Sequence, residues 1–236
     1  MTGGQEGTWM DEFDAAWAIA DGVPGWLRRD QAAALWHAMS AVPAGGVAVE
    51  IGSHQGRSTV VLGRAAIRQG ARVVAVDPFI DGVLFGGEKT RALFESTVAR
   101  AGIEDVVELV PRRSTELRPS WTSRLAMLYI DGKHDYWTVR DDLRWVSNLE
   151  PGAPVLIHDS FSSIGVTLAL LAHVLPGRGL RYVRRAGSMA VFEASAPSLR
   201  DRLRIVAELP WFIRNVVVKV GLRVLRPFGF RRPDPY

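Results

Sequence analysis

Short apolar runs alternate with segments of helical periodicity through most of the chain, and this alternation limits the fold more than any other feature. The first run, GGVAVEIG at 45–52, ends in a glycine turn, and STVVLGRAAIRQG follows it with apolar residues at helical spacing. A strand, a turn and a helix in this order open a βαβ unit, in which crossover helices join parallel strands. The sequence therefore predicts an α/β fold whose parallel sheet is covered by helices on both faces.

The same alternation continues toward the C-terminus. Four further runs have strand character, ARVVAVDPF, VVELVPRRS, LAMLYIDG and APVLIHDS, and helical segments such as RALFESTVARAG and WTVRDDLRWVSNL separate them. The last two runs, GLRYVRR and SMAVFEA, are separated only by a short AG turn, which is typical of an antiparallel hairpin. We predict a Rossmann-like, doubly wound, mostly parallel sheet of seven strands that ends in this C-terminal hairpin.

Two segments with helical spacing precede the first strand, at 11–20 and 30–41, and Asp30 is positioned to cap the second. We interpret residues 1–44 as an N-terminal helical lid and residues 45–196 as the ligand-binding domain.

Residues 197–236 differ in character, because arginines alternate with large apolar residues and prolines. Nine basic residues against three acidic ones give this segment a charge of +6, so the total of +4 leaves −2 for the rest of the chain. We expect a basic amphipathic appendage that is too charged to span a membrane and whose helix ends at Pro227 and Pro233. It is predicted to form an oligomer interface, giving a homo-oligomer, or to contact a membrane surface; the alternative is that it folds back on its own domain.

Composition excludes several classes of function. The chain has no cysteine, which excludes disulfides, thiolate metal sites and cysteine catalysis. Its first residues contain no basic stretch followed by an apolar run, so no secretory signal is predicted and a cytoplasmic location is expected. A nucleic-acid partner is not expected, because such proteins carry basic stripes in the body of the domain and this body is slightly acidic.

Acidic and glycine residues mark the ends of the first two predicted strands. Gly52 and Gly56 allow close approach of a ligand to the backbone, and the helix that follows offers unpaired N–H groups. Asp77 ends strand two, where a carboxylate can accept hydrogen bonds from ribose hydroxyls. The segment lacks the G-x-G-x-x-G of dinucleotide sites, and Glu50 suits a cationic ligand better than a diphosphate. The alternative is that Glu50 and Asp77 are only capping or solvated acids.

A second group of polar residues follows strands four and five. Asp131 ends strand four, and His158 and Asp159 end strand five. Parallel strands bring these ends to one edge of the sheet, so Asp131, His134 and Asp159 are expected to converge. Histidine is the commonest general base near neutral pH, so we predict proton transfer at this edge. Carboxylates are also suitable ligands for a divalent cation.

Four motifs, E-I-G-S-x-x-G-R-S-T, V-D-P-F, I-D-G-x-H-x-Y and a strand ending in H-D, occur in this order over about residues 45–193. In them the chain resembles class I S-adenosylmethionine-dependent methyltransferases of the sugar and macrocin O-methyltransferase type, which include mycobacterial methylmannose polysaccharide methyltransferases. The resemblance implies methyl transfer from S-adenosylmethionine to a hydroxyl of a saccharide or glycoside.

The resemblance also implies roles for individual residues. The glycine turn would hold the methionine part of the cofactor, Asp77 the ribose and Ser114 the adenine. The residues expected to bind the cofactor are Glu50, Gly52, Ser53, His54, Gly56, Ser58, Asp77, Ser114 and Asp131.

The same resemblance implies a general base and a metal site. His134 falls on the position of the base, and Asp131, His158 and Asp159 fall on positions that bind a divalent cation. Magnesium is expected there, with manganese as the alternative, because an imidazole in place of a third acid favours softer cations. A core histidine is the alternative interpretation of His158.

Other interpretations of the chain stay open at this point. The acceptor could be a small aromatic hydroxyl, the chain could be an NAD-dependent oxidoreductase, or it could be an inactive scaffold that docks through its basic tail. Tyr136 and Trp137 could form a wall for a sugar ring, although aromatic residues at a helix start are more often packing residues. His37 and His173 are interpreted as structural and solvated, respectively.

Overall fold

The computed structural model describes residues 3–82 and 86–225, and it contains a seven-stranded sheet flanked by helices. The strands are β1 (Val47–Ile51), β2 (Arg72–Val76), β3 (Val107–Val110), β4 (Met127–Ile130), β5 (Pro154–Ile157), β6 (Arg181–Ala186) and β7 (Met189–Glu193). Their order across the sheet is β3-β2-β1-β4-β5-β7-β6. The first five strands pair in parallel, while β7 pairs antiparallel with both β5 and β6. The predicted fold class, including the C-terminal hairpin, is confirmed.

Nine α-helices lie within the described residues. They are α1 (Gly3–Asp21), α2 (Arg29–Met39), α3 (Arg57–Gln69), α4 (Glu88–Ala101), α5 (Ser114–Leu117), α6 (Tyr136–Asp142), α7 (Ile164–Ala169), α8 (Leu199–Val206) and α9 (Leu209–Leu225). Short 3-10 turns follow α5 and α6, and a π-helical turn extends α7.

The sheet separates two hydrophobic cores, because successive side chains of a strand point to opposite faces. In β4, Met127 and Tyr129 join the core on one face, and Leu128 and Ile130 join the core on the other. Helices α1 to α4 supply the first core, and α5 to α9 supply the second. Both faces of the parallel strands are therefore covered, so the open edge at their carboxyl ends is where a ligand can approach.

The N-terminal helices are part of this packing. Phe13, Leu35 and Trp36 are buried in the first core, and α1 and α2 both pack on α3. The prediction that Asp30 caps α2 is wrong. The N-cap is Arg28, whose backbone N–H donates to the Gln31 side chain over 2.9 Å, while Asp30 lies one residue inside the helix and pairs with the Arg28 guanidinium.

The C-terminal helices fold back on the domain. Ser198 caps α8. One face of α8 packs on the second core through the buried Ile205, and α9 buries Asn215. Among the helices in the described part of the chain, none is both long and apolar enough to cross a bilayer. The helix stops predicted at Pro227 and Pro233 lie outside the described residues.

Candidate active site at the carboxyl edge of the sheet

Unusual backbone conformations concentrate at the carboxyl ends of the strands. Among the described residues other than glycine, four have positive φ, at His54 (46°), Phe79 (42°), Asp159 (52°) and Phe161 (58°). They follow β1, β2 and β5, which end at the same edge. Left-handed conformations cost non-glycine residues free energy, and they cluster at functional sites. The backbone thus points to this edge independently of side-chain chemistry.

The glycine turn after β1 depends on its glycines. Gly52 has a φ of 87°, and a Cβ atom there would lie 2.3 Å from the carbonyl oxygen of Asp131. Gly56, at the N-cap of α3, has a φ of 90° and faces Thr97 of α4. A side chain at Gly52 would therefore push the turn away from the end of β4, where the second group of predicted residues begins.

Asp77 holds this turn in place. Its Oδ2 accepts hydrogen bonds from the backbone N–H groups of Ser53 (3.1 Å) and His54 (2.9 Å), and its Oδ1 accepts one from Phe79 (3.0 Å). The Asp77 carboxylate thus connects the end of β2 to the turn after β1. Carboxylate oxygens each have two acceptor sites, so Oδ1 retains capacity for a ligand hydroxyl.

Glu50 lies at the end of β1 and is enclosed by the first turn of α3. The side chain is buried, and its two oxygens accept hydrogen bonds from Ser58 Oγ and Thr59 Oγ1, each over 2.5 Å. Burial raises the pKa of Glu50 to about 7, against the opposing effect of the two hydroxyls. These contacts attach the first turn of α3 to β1. Thr59 is the last residue of the first motif, but no role had been predicted for it.

This burial predicts a pH-dependent stability. Between the ordinary pKa of 4.5 and about 7, folded Glu50 keeps a proton that the unfolded chain has lost, so stability falls as the pH rises through that range. A shift of this size corresponds to a difference on the order of 3 kcal/mol. Glu50→Gln should therefore remove this part of the pH dependence, and urea unfolding of both proteins at pH values below and above the range measures it. Exposed Glu104→Gln is the control. An equal free-energy difference between wild type and Glu50→Gln at both pH values would contradict the assignment.

The second predicted group converges as expected. His134 lies between two carboxylates, with Nε2 3.3 Å from Asp131 Oδ1 and Nδ1 3.1 Å from Asp159 Oδ2. His158, which is buried, has its Nδ1 3.1 Å from the same oxygen of Asp131. Residues from the ends of β4 and β5 thus form a compact cluster of two acids and two imidazoles.

In this cluster the carboxylates stabilise the charged form of the imidazoles, and the imidazoles stabilise the charged form of the carboxylates. Burial opposes charge on every member, but the two imidazoles lower the pKa of Asp131 to about 2 and hold the pKa of Asp159 well below its usual range. In return, hydrogen bonds and attraction from the two carboxylates raise the pKa of His134 to about 10, although burial alone would lower it. Attraction to Asp131 likewise outweighs burial and raises the pKa of His158. Because both ring nitrogens face carboxylates, the cluster stabilises the imidazolium form of His134.

The cluster has the donor set of a divalent-metal site. One ligand atom from each of Asp131, His134 and His158 lies within 4.8 Å of the others, and Asp159 adjoins both histidines. His158 Nδ1 is buried, makes no well-aligned hydrogen bond with the described residues and faces the carboxylates of Asp131 and Asp159, so it lies where a cation could be shared with both acids. Carboxylate and imidazole ligands together suit manganese or zinc better than magnesium. The residues present therefore fit a cation, and His134 joins the three predicted ligands as a potential fourth.

Two supporting residues of the cluster were not predicted. Tyr129, buried in β4, donates its hydroxyl to Asp131 Oδ2 over 2.7 Å. Gln31 of α2 is buried with Oε1 3.4 Å from His158 Nε2, and its Nε2 donates to Ser188 Oγ over 2.9 Å. Tyr129 has a sequence signal, because it lies two residues before Asp131 in a strand and therefore on the same face. Gln31 has none.

Ser114, predicted to lie near the adenine just beyond strand three, is at the start of α5 after β3. Its hydroxyl is bound to another residue of the protein. It donates a short hydrogen bond to Asp142 Oδ1, and Asp142 Oδ2 is buried without a partner among the described residues. Burial raises the pKa of Asp142 to about 7. Asp142 was missed, although it lies at helical spacing from the buried Val139.

The remaining singled-out residues lie around the edge. Tyr136 Oη is 3.0 Å from His173 Nε2, so this histidine has a partner on the protein surface. Trp137 is exposed beside Arg140, and His37 is exposed on α2. Arg57 of the first motif donates to the carbonyls of Val23 and Leu27, and therefore attaches the N-terminal helices to the glycine turn.

Comparison with known proteins agrees with this geometry. Residues 49–160 match the protein family described as a methyltransferase domain. That segment begins in β1 and ends just after Asp159, so it includes the glycine turn, Asp77 and the whole Asp-His cluster. The match supports the predicted enzyme class, a methyltransferase.

Solved structures share the fold. The cofactor-bound Rv0187 from MTB is 21% identical with a TM-score of 0.58, and the match covers 78% of this chain and 89% of that one. The O-methyltransferase TomG from Streptomyces achromogenes, involved in tomaymycin synthesis and solved with S-adenosylmethionine, is 18% identical with a TM-score of 0.58 and coverages of 78% and 90%. The S-adenosylhomocysteine-bound methyltransferase PaMTH1 from Podospora anserina is 13% identical with a TM-score of 0.62 and coverages of 78% and 88%. At these identities the likeness establishes a Rossmann-like methyltransferase fold.

Proposed function

We propose that this chain is an S-adenosylmethionine-dependent O-methyltransferase that methylates a hydroxyl of a saccharide or glycoside with the help of a divalent cation. The observation that carries the proposal is the position of His134 between Asp131 and Asp159, next to a glycine turn that Asp77 holds in place. A base beside a nucleotide-binding turn is what methyl transfer to oxygen requires. Structural neighbours that bind S-adenosylmethionine or S-adenosylhomocysteine support the cofactor.

The reaction is a direct displacement. The acceptor oxygen attacks the methyl carbon of the sulfonium, the carbon–sulfur bond breaks, and its electron pair converts the sulfonium to the neutral thioether of S-adenosylhomocysteine. The acceptor hydroxyl loses its proton as it attacks, and the neutral form of His134 receives it at a ring nitrogen. Asp131 and Asp159 orient the imidazole and stabilise the imidazolium that results.

A divalent cation bound by Asp131, His158 and Asp159 would take up the negative charge that raises the pKa of His134, and would polarise the acceptor hydroxyl. Manganese suits these ligands better than magnesium, because one of them is an imidazole.

The saccharide acceptor is the finer part of the proposal. It rests on the I-D-G-x-H-x-Y motif and on the exposed Trp137, since aromatic side chains offer a flat apolar surface to a ring. A small aromatic hydroxyl is the second candidate. Incubation with the methyl-labelled cofactor and a panel of monosaccharides, oligosaccharides, partly methylated mannosides and catechols tests the choice. Label transfer to saccharides supports the proposal, and transfer to catechols alone contradicts it.

Asp77→Ala is expected to weaken cofactor binding about 10- to 100-fold, because a charged acceptor of ribose hydroxyls and of the turn is lost. The protein should still fold, with a lower melting temperature, because the backbone N–H groups of Ser53, His54 and Phe79 lose their acceptor. Titration calorimetry with S-adenosylhomocysteine measures the affinity, and Asp105→Ala, an exposed change on the loop before β3, is the control. Unchanged affinity in Asp77→Ala would remove Asp77 from the cofactor site.

A further inference from the structure

The two C-terminal helices expose an apolar stripe to solvent. Its residues are spaced four and three apart, so they lie on one side of each helix. They are Leu199 (73% exposed), Leu203 (58%) and Val206 (41%) on α8, and Ile213 (60%), Val217 (64%) and Val220 (55%) on α9. We call these six residues the C-terminal stripe.

The stripe is held outward because the opposite faces of the same helices are anchored. Ile205 of α8 and Asn215 of α9 are buried, and Asn215 Nδ2 donates to the carbonyl of Phe161 over 3.1 Å. Arg202 donates to the carbonyl of Gly177 over 2.8 Å. The helices therefore cannot turn their stripe inward without breaking buried contacts.

Charge is distributed unevenly between the two faces. The acidic residues of these helices and their link point inward, because Asp201 accepts a hydrogen bond from Ser198 and Glu208 accepts bonds from Tyr182 (2.6 Å) and Arg185 (3.0 Å). Two exposed basic residues lie beside the stripe, Arg200 next to Leu199 and Arg214 next to Ile213, whereas Arg202 and Arg204 donate to backbone carbonyls of the domain. The outer surface of the described helices is thus apolar at its centre, with positive side chains along its flank and the acidic side chains turned away from it.

We propose that the C-terminal stripe binds the surface of an anionic phospholipid membrane. A helix with an apolar face and flanking arginines places that face at the boundary of headgroups and acyl chains, where anionic headgroups pair with the basic residues. A second copy of this chain fits less well, because the described residues 197–225 hold six basic and two acidic side chains, a charge of +4, and self-association through the stripe would bring like charges together. Complementarity of charge therefore selects the membrane.

The test is flotation of the full chain with vesicles of phosphatidylcholine alone or mixed with phosphatidylglycerol. The wild type should float with the anionic vesicles, and less so at high salt because screening weakens surface attraction. Changing Leu203, Ile213 and Val217 together to serine should weaken binding at least about tenfold, because the buried apolar area is lost. A matched control changes Ile67, Leu93 and Leu168 to serine, since these are exposed apolar residues on α3, α4 and α7. The control should float like the wild type.

Several results would overturn the proposal. These are a wild type that stays unbound by anionic vesicles, equal flotation with neutral vesicles, or a stripe variant that floats as well as the control. Light scattering adds a fourth, since a dimer that the stripe variant dissolves, without vesicle binding, would assign the stripe to a second copy. Melting curves of both triple variants verify that each is folded. None of these measurements depends on enzyme activity.

Discussion

Replacing His134 by alanine is expected to lower the turnover number by about 10²–10⁴-fold, the usual contribution of a general base. The affinity for S-adenosylhomocysteine should be nearly unchanged, because the side chain contacts Asp131 and Asp159 and not the glycine turn. The residual activity should rise steeply with pH as hydroxide replaces the base. Steady-state kinetics across pH and titration calorimetry provide the two measurements.

His37→Ala is the matched control, because this histidine is exposed on α2 away from the cluster. A His134→Ala enzyme that keeps more than about a third of wild-type turnover would show that His134 is not the base. Manganese titration of the variant separates a base from a ligand, because loss of cation binding would make His134 a ligand. His158 is then the next histidine to test, although its burial against Gln31 makes it less accessible to an acceptor.

Chelation should abolish most of the activity, and manganese should restore it better than magnesium. The reason is that Asp131, His158 and Asp159 offer two carboxylates and an imidazole at one point of the sheet edge. Asp159→Asn should weaken manganese binding by at least about tenfold, because a charged ligand becomes a neutral one. Turnover after EDTA treatment and calorimetric titration with manganese measure the two effects.

The control for Asp159→Asn is Asp105→Asn, in which the same change is made at an exposed position before β3. Full turnover in excess EDTA would contradict the metal assignment. In that case Asp131 and Asp159 would serve only to orient His134 and to stabilise the imidazolium that forms when it accepts a proton, which their distances to its ring permit.

The sequence was sufficient to predict the fold, because each strand and its face follow from local pattern. Residues such as Val73 and Val74 must point to opposite sides of a strand, and both are apolar, so the strand is buried on two faces. The glycine turn could also be predicted, because glycines follow the first apolar run directly. The structure gives the reason for glycine at position 52, where a positive φ and the contact with Asp131 leave no room for a side chain. The convergence of Asp131, His134 and Asp159 followed from parallel topology alone.

The orientation of side chains at the site was less predictable. Glu50 belongs to the first motif, yet two hydroxyls of α3 enclose its side chain at the end of β1. Gln31 reaches His158 across 127 residues of sequence, and no local pattern encodes such a contact. The cap of α2 was misassigned because the helix begins at Arg29, before Asp30, so Asp30 lies in the first turn and the N-cap position falls on Arg28.

The tail was the other part that pattern alone left open. The described part of the tail folds on the domain, as one predicted alternative had it, while its outer face is exposed and its role as a binding surface stays a prediction. Buried Asn215 anchors one face, while Val217 two residues later is exposed. A helical period explains this, since positions two apart lie on nearly opposite sides of a helix.

The most direct test of the account is the thermal and urea stability of the purified chain with S-adenosylhomocysteine or with NAD. A ligand at ~100 times its dissociation constant should add ~2.7 kcal/mol to the free energy of unfolding. We expect S-adenosylhomocysteine to stabilise the wild type in this way, Asp77→Ala to need far more of it, and NAD to have no effect. Stabilisation by NAD, with none by S-adenosylhomocysteine, would contradict the account and indicate an oxidoreductase.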